Sequence, residues 1–386
     1  MPESERNIFQ RIKKITEEAE ARGIKIIMLS IGQPKGPALD SAIQAAARAI
    51  KSNKESMHEY QDNGSPGVPR FADRFVQAHI KTNLLEVPDI SCMPIPGIKS
   101  MLGLVPIACN SRVVATMTEP GYPTPAVWCG YLQIPNYPLP LTAENEFLFS
   151  VEDINPDTDL VMINLPNNPS GQVASEEWLV DLCGYCQDND IRIFNDAAYA
   201  MLVHSGDCVT LTDVAVNFPD LSFCEMFSAS KEIGNGTGWR VGALVGSEDF
   251  VEDLGKIKGE ADSGAVAAMM TGVIAAIEND REGIEQYNQL YAKRLEILIE
   301  ILSDSGMQLV LQPKATFFSL WKVPCMAFGQ VIKNAEHFNN LMIENTGVVG
   351  VPFGDFIRYS VAGYPIEKVE NVFGVKIAFK EAKVIY

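Results

Sequence analysis

The chain has 386 residues, 47% of them apolar, and a formal net charge of −18 at pH 7. That length supports two domains around a sizeable core, and the negative balance argues against nucleic acid or an anionic membrane as a partner. The start, Met1 to Arg6, lacks the apolar centre of a secretory leader, and no apolar run approaches the roughly 20 residues that span a bilayer, so cytoplasmic placement follows by default.

In chain order, an amphipathic helix closes at about residues 17–22, and residues 24–31 read as a short strand entering Gly32-Gln33-Pro34. From 36 to 282, strand-length apolar runs alternate with helical patterns, which argues an α/β fold built on a mainly parallel sheet with crossover helices. Within that stretch Gly97 precedes Ile98, Lys99 and an apolar, helix-like run over 101–105. A strand over 159–163 leads into the turn-rich Asn164-Leu165-Pro166-Asn167-Asn168-Pro169-Ser170-Gly171, and a helix starts near Glu176. The next strand, from Ile191, ends on Asp196, with Tyr199 three residues on. A further apolar run ends in Ser228-Ala229-Ser230-Lys231, and Gly238-Trp239-Arg240 follows. Residues 285–302 form one long amphipathic helix. Beyond it lies a smaller domain holding 317–321 and a strand with Arg358.

Asn168, Asp196 and Lys231 each fall at or just past a strand's carboxyl end, where ligands gather in open α/β sheets. A Schiff-base amine needs a fixed place and a lowered pKa, and a nearby phosphate needs hydroxyls, N–H groups and a forked cation. The segment from Ser228 to Arg240 can supply all of these. The eight cysteines show no disulfide framework. Cys183 and Cys186 form a Cys-x-x-Cys inside a helical pattern with no second pair at zinc spacing, which reads as helix packing. Four scattered histidines form no ligand pattern, so no metal is expected. The glycines over 234–238 mimic a dinucleotide loop but follow the lysine instead of opening an early strand-to-helix turn.

The ordered set Asn168-Pro169-Ser170-Gly171, Asp196-Ala197-Ala198-Tyr199, Ser228-Ala229-Ser230-Lys231 and Gly238-Trp239-Arg240-Val241-Gly242 resembles the fold-type I, class I/II aminotransferases, which use pyridoxal 5′-phosphate. The likeness runs from Gly32 to Arg358. It implies a large cofactor-binding domain over 36–282 and a smaller one from 1–35 plus 283–386. It also implies transfer of an amino group between an amino acid and a 2-oxo acid, in ping-pong fashion, through a Schiff base on Lys231. Asp196 would pair with the pyridine nitrogen, while Asn168 and Tyr199 would hydrogen-bond the ring's phenolic oxygen. The phosphate would lie on Ser228, Ser230, Arg240 and the glycine turn of Gly97, Ile98 and Lys99. Tyr122, in Glu119-Pro120-Gly121-Tyr122-Pro123, would stack on the ring. Tyr60 would reach the phosphate of a neighbouring subunit, making a homodimer with shared sites. Gly32, Asn168 and Arg358 would meet the substrate, the arginine at its alpha-carboxylate.

Departures from the family pattern cluster near the substrate entrance. Nine positions, not eight, lead from Lys231 to Arg240, and a glycine-rich loop can absorb the extra one through positive φ. The loop before Arg358 is cut down to Val351-Pro352-Phe353-Gly354-Asp355, Tyr60 stands further from its Gly-Pro turn, and Pro125 replaces a tyrosine. Within the family the aspartate and LL-diaminopimelate aminotransferases come nearest. A carbon–sulfur lyase or synthase on the same fold would share every cofactor residue. A non-catalytic cofactor-binding regulator would carry an added DNA-binding domain, and only 31 residues precede Gly32. An NAD-dependent oxidoreductase would leave Lys231 without a task.

Overall fold

A computed structural model of the chain describes residues 8–206 and 208–386; the reading made on Met1 to Arg6 lies outside them. Seven strands form the main sheet: β1 Ile90–Ile95, β2 Val114–Thr116, β3 Asn136–Pro138, β4 Leu160–Ile163, β5 Arg192–Asp196, β6 Phe223–Ser228 and β7 Gly242–Ser247. Their order is β1-β7-β6-β5-β4-β2-β3, and only β7 runs against its neighbours. Every residue of β4 and β6 is buried, as expected for strands covered on both faces. The fold is thus α/β with a mostly parallel sheet.

The reversal of β7 shapes the sheet edge. A parallel return needs a crossover, usually a helix, but the link from Ser228 to Gly242 is a glycine-rich loop. The chain therefore doubles back, and Gly242 pairs with both Ser228 and Ile95. The start of β7 thereby lies at the same sheet edge as the ends of β1 and β6.

Beyond the long helix Arg281–Asp304, a three-stranded antiparallel sheet forms from β8 Phe318–Lys322, β9 Val351–Phe353 and β10 Phe356–Ser360, in the order β9-β10-β8. The N-terminal helix Ile8–Ala21 packs on the helix Ala335–Thr346, with Ile12 and Ala19 beside Ile343 and Val349. An Arg11–Glu336 salt bridge of 3.0 Å joins the two.

Three elements differ from the sequence reading. The strand expected over 24–31 is only Ile27–Met28, paired parallel with Val348–Val349. It stops because later carbonyls are taken from outside a ladder: Leu29 O by Ser360 N, Ser30 O by Arg358 and Ile31 O by Ser360 Oγ. The apolar run over 101–105 splits into helices Ile98–Met101 and Leu104–Ala108, with the Trp128 ring lying over Gly103 at the break. The long helix starts four residues earlier than its apolar pattern, at Arg281, because Asp280 caps it by accepting from Gly283 N. Cys183 and Cys186 lie on the helix Glu176–Asp188 as free, buried thiols packed with Leu179 and Ile193. Among the described residues no helix is long and apolar enough to cross a membrane.

Candidate active site

Strand ends deliver the polar groups. Asn164 follows β4 directly; its Nδ2 donates to Asp196 O at 2.8 Å and its Oδ1 accepts from Asn168 N at 3.0 Å. The loop is tightened by Asn167, whose Oδ1 accepts from Ser170 N and Oγ. On β5, Asn195 clamps Leu165, accepting from its N–H at 3.0 Å and donating to its carbonyl at 3.1 Å. Asn195 in turn donates to Glu225 of β6 at 2.8 Å. Glu225 is buried, which pushes its carboxyl up, while bonds from Thr212 N, Thr212 Oγ1 and Leu211 N pull it back. The loop carrying Asn168 therefore stands on a fully bonded buried network.

These groups open on a cavity of about 680 Å³. Lys231, Asp196, Asn168, Tyr199, Ser228 and Ser230 line it from the sheet edge. Ile98, Lys99, Tyr122 and Arg240 line it from the loops, and Gly32 and Arg358 from the other side. Gly97 lies behind this wall, and Tyr60 lies outside it, 77% exposed. Twelve residues from separate motifs thus converge on one space.

Burial sets the electrostatics. Desolvation lowers the Lys231 ammonium below its ordinary range, Asp196 opposes that, and Arg240 adds to it. The amine sits 5.0 Å from the centroid of the Tyr199 ring. Desolvation raises the Asp196 carboxyl to about 6 despite Lys231 and a 3.2 Å bond from Ala198 N. The Tyr199 phenol is raised well above its ordinary value by burial, with Arg358 pulling it down.

Arg358, on β10, is 4% exposed, and its hydrogen bonds go to neutral acceptors, with no carboxylate partner among the described residues. Its guanidinium lies 4.1 Å from the Phe318 ring centroid and 5.1 Å from that of Phe353. Nη1 donates to Asn168 Oδ1 at 2.7 Å and Nη2 to Ser30 O at 2.8 Å, while Nε is buried without a partner. Burial lowers the group to about 10. A buried cation held by neutral acceptors and ring faces favours an anion in front of it. Gly32 permits this packing, since a Cβ there would stand 2.9 Å from the Phe318 ring.

At the far wall Ser228 Oγ donates to Ser230 Oγ at 2.8 Å. Arg240 Nη1 donates to Thr237 O at 3.0 Å, and the guanidinium crosses above Gly97. The extra residue is absorbed by positive φ at Gly234 (+76°) and at Arg240 itself (+54°), not at Gly236 or Gly238. Sequence reasoning missed Ser30, Trp128, Thr237 and Phe318 in the lining, and Asn195 and Glu225 behind it. Thr237 and Asn195 stood beside motif residues; Trp128 and Phe318 carried no local signal.

The family model for aminotransferase class I and II matches residues 24–375. The LL-diaminopimelate aminotransferase of Halothermothrix orenii is 30% identical over 377 residues, covering 90% of this chain and 89% of that one. The enzyme of the same name from Desulforudis audaxviator is 29% identical over 364 residues, covering 89% and 86%. Among solved structures, substrate-bound BacF from Bacillus subtilis superposes with a TM-score of 0.84 at 21% identity, covering 100% of this chain and 96% of that one.

Proposed function

This chain belongs to the class I and II aminotransferases, and from that premise we propose how its own residues carry the reaction. It is an amino-acid aminotransferase, moving an amino group between an amino acid and a 2-oxo acid. The cofactor we assign is pyridoxal 5′-phosphate. Three observations support the fit: a desolvated lysine whose charge is opposed by a buried carboxylate, a hydroxyl pair lining the same cavity as a forked cation, and a glycine whose Cβ would stand 2.4 Å from that cation. When bound, the group supplies a carbonyl carbon for amines and a ring that draws off the electron pair left by a departing proton.

Lys231 is the attachment point and, at Nζ, moves the alpha proton; its lowered basicity suits that exchange. Asp196 would pair with the ring nitrogen and favour a proton there. Asn168 and Tyr199 would hydrogen-bond the phenolic oxygen, and Tyr122 would stack on the ring. Ser228, Ser230, Arg240 and the N–H groups of Ile98 and Lys99 hold the phosphate. Arg358 grips the substrate's alpha-carboxylate with Gly32 and Asn168 around it. We read residues 36–282 as the larger domain and 1–35 with 283–386 as the smaller one, which closes over the substrate and excludes water. Tyr60, exposed on its own subunit, completes the phosphate site of a second copy in a cytoplasmic homodimer.

The observation that carries this reading is the convergence of Lys231, Asp196 and Arg358 on one cavity. For the donor we propose an L-amino acid with a second carboxylate at its far end, the class of LL-diaminopimelate and aspartate. Lys99 lines the same cavity as a further cation, and the relatives' names agree. A donor panel with 2-oxoglutarate tests it: glutamate should form fastest with the dicarboxylic donors. Sustained release of an oxo acid without any acceptor, well beyond one equivalent per site, would favour the lyase instead.

Two substitutions probe the walls. Gly97→Ala places a side chain at φ +79° and against Arg240. It should weaken cofactor uptake about tenfold, the equivalent of 1–2 kcal/mol of strain, in a fluorescence titration of the apo-protein. Arg358→Lys keeps the charge but loses the fork and the ring stacking. It should lower kcat/KM about 10- to 100-fold for every amino and oxo acid alike, since all share the alpha-carboxylate.

A further inference from the structure

Directly after Lys231 stands Glu232, which does not line the cavity; its side chain is 0% exposed. Both of its oxygens lie 3.0 Å from Nε2 of His79, which is equally buried. The other ring nitrogen, Nδ1, lies 2.8 Å from Phe75 O. A carbonyl only accepts, so Nδ1 carries a hydrogen, and a second proton lies between Nε2 and the carboxylate. Whichever partner holds that proton, the pair is neutral as a unit and its hydrogen bonds are made.

The imidazole is also gripped by rings. Phe227 stacks on it with centroids 4.6 Å apart at 27°, and Phe75 lies 4.6 Å away on a tilt. Phe227 is the residue before Ser228, and Glu232 is the residue after Lys231. One imidazole therefore touches both flanks of the tetrapeptide Ser228-Ala229-Ser230-Lys231. Backbone support there is thin: Ala229 N bonds Val241 O at 3.1 Å, Glu232 N reaches Ala229 O at 3.4 Å, and residue 231 lies in no helix or strand.

We propose that His79 and Glu232 are a positioning pair for Lys231: a buried clamp across the turn that fixes where the amine stands. The inference rests on the reading of Lys231 as the reactive amine. The charged and titratable groups facing that amine are Asp196, Arg240 and Glu232, with the Tyr199 ring alongside. Without His79, Glu232 becomes an uncompensated carboxylate next to the lysine. Without Glu232, the turn loses its second anchor.

The test compares Glu232→Gln, Glu232→Ala and the double variant His79→Phe/Glu232→Leu with the parent. A buried ionic pair replaced by apolar groups often leaves stability unchanged, so thermal melting of the double variant should stay near the parent's. Its kcat should nonetheless fall about tenfold or more, as misplacement of a reacting group does, with KM for the amino donor within about twofold. Independently of cofactor, trinitrobenzenesulfonate modification of the apo-protein across pH, followed on the Lys231 peptide by mass, should show a lower midpoint in the double variant than in the parent, because the Glu232 carboxylate favours the ammonium. Glu232→Gln keeps a hydrogen bond to His79 and should restore kcat to within about threefold, whereas Glu232→Ala should not. Parent-like kcat and midpoint in a folded double variant would overturn the proposal. So would Glu232→Gln behaving like Glu232→Ala, the comparison that decides if the double variant fails to fold. If Lys231 is not the attachment point, the turnover comparison loses its meaning but the amine titration still reads the clamp.

Discussion

Lys231→Ala is expected to leave a folded protein that transaminates at least about 10⁴-fold more slowly than the parent. The size follows from the two tasks given to one amine, attachment of the cofactor and transfer of the alpha proton. The fold should survive because, among the described residues, Nζ makes no hydrogen bond or salt bridge; its contact is the Tyr199 ring face at 5.0 Å. Its burial also disfavours the ammonium, so the protein sheds a desolvation cost with the side chain. Turnover and thermal melting of the apo-proteins, measured together, distinguish this from simple unfolding: activity should fall by at least about 10⁴-fold while the apo melting temperature holds or rises. A variant with even a tenth of the parent's rate would remove Lys231 from the mechanism.

Asp196→Asn should act in opposite directions on rate and stability. If Asp196 pairs with the ring nitrogen as proposed, its removal should cost about 10²- to 10³-fold in kcat, the scale of a single preorganised charge. The apo-protein, however, should become more stable at neutral pH. Asp196 titrates near 6 in the fold against an ordinary 3.8, so between those values the native state keeps a proton that the unfolded chain has already released. Stability therefore falls as pH rises from about 4 to about 6 and stays low above that, by something on the order of 3 kcal/mol. Asparagine removes this dependence and keeps the acceptor for Ala198 N. Denaturant melts of both apo-proteins should coincide near pH 4 and separate by pH 8, with the variant more stable. Equal curves at both values would mean that the desolvation of Asp196 is relieved in some other way.

These two residues were legible in the sequence for the same reason. A polar group at the end of an apolar strand is conspicuous, and the parallel sheet brings all such ends to one edge. Arg240 was legible despite its shifted spacing, and its place depends on a feature the sequence hid, the reversal of β7 that returns Gly242 to the end of β6. What could not be read depends on partners far apart in the chain. Phe318 under Arg358, Glu225 behind Asn195, and His79 against Glu232 at a separation of 153 residues are properties of packing. None has a local period or motif. Even the strand over 24–31 was shortened by acceptors claimed from residues 358 and 360, beyond any local window.

The domain boundaries at 36 and 282 and the reach of Tyr60 into a second subunit are proposals that rest on the family pattern. The proposed function stands on one cavity, with Lys231 as its reactive amine. The most direct measurement is to load the apo-protein with pyridoxal 5′-phosphate, reduce it with borohydride, digest it and locate the phosphopyridoxyl group by mass. The expected result is stoichiometric label on Lys231 and none on Lys99, which lines the same cavity. A protein that retains no label, or carries it on another lysine, would contradict the claim at its base.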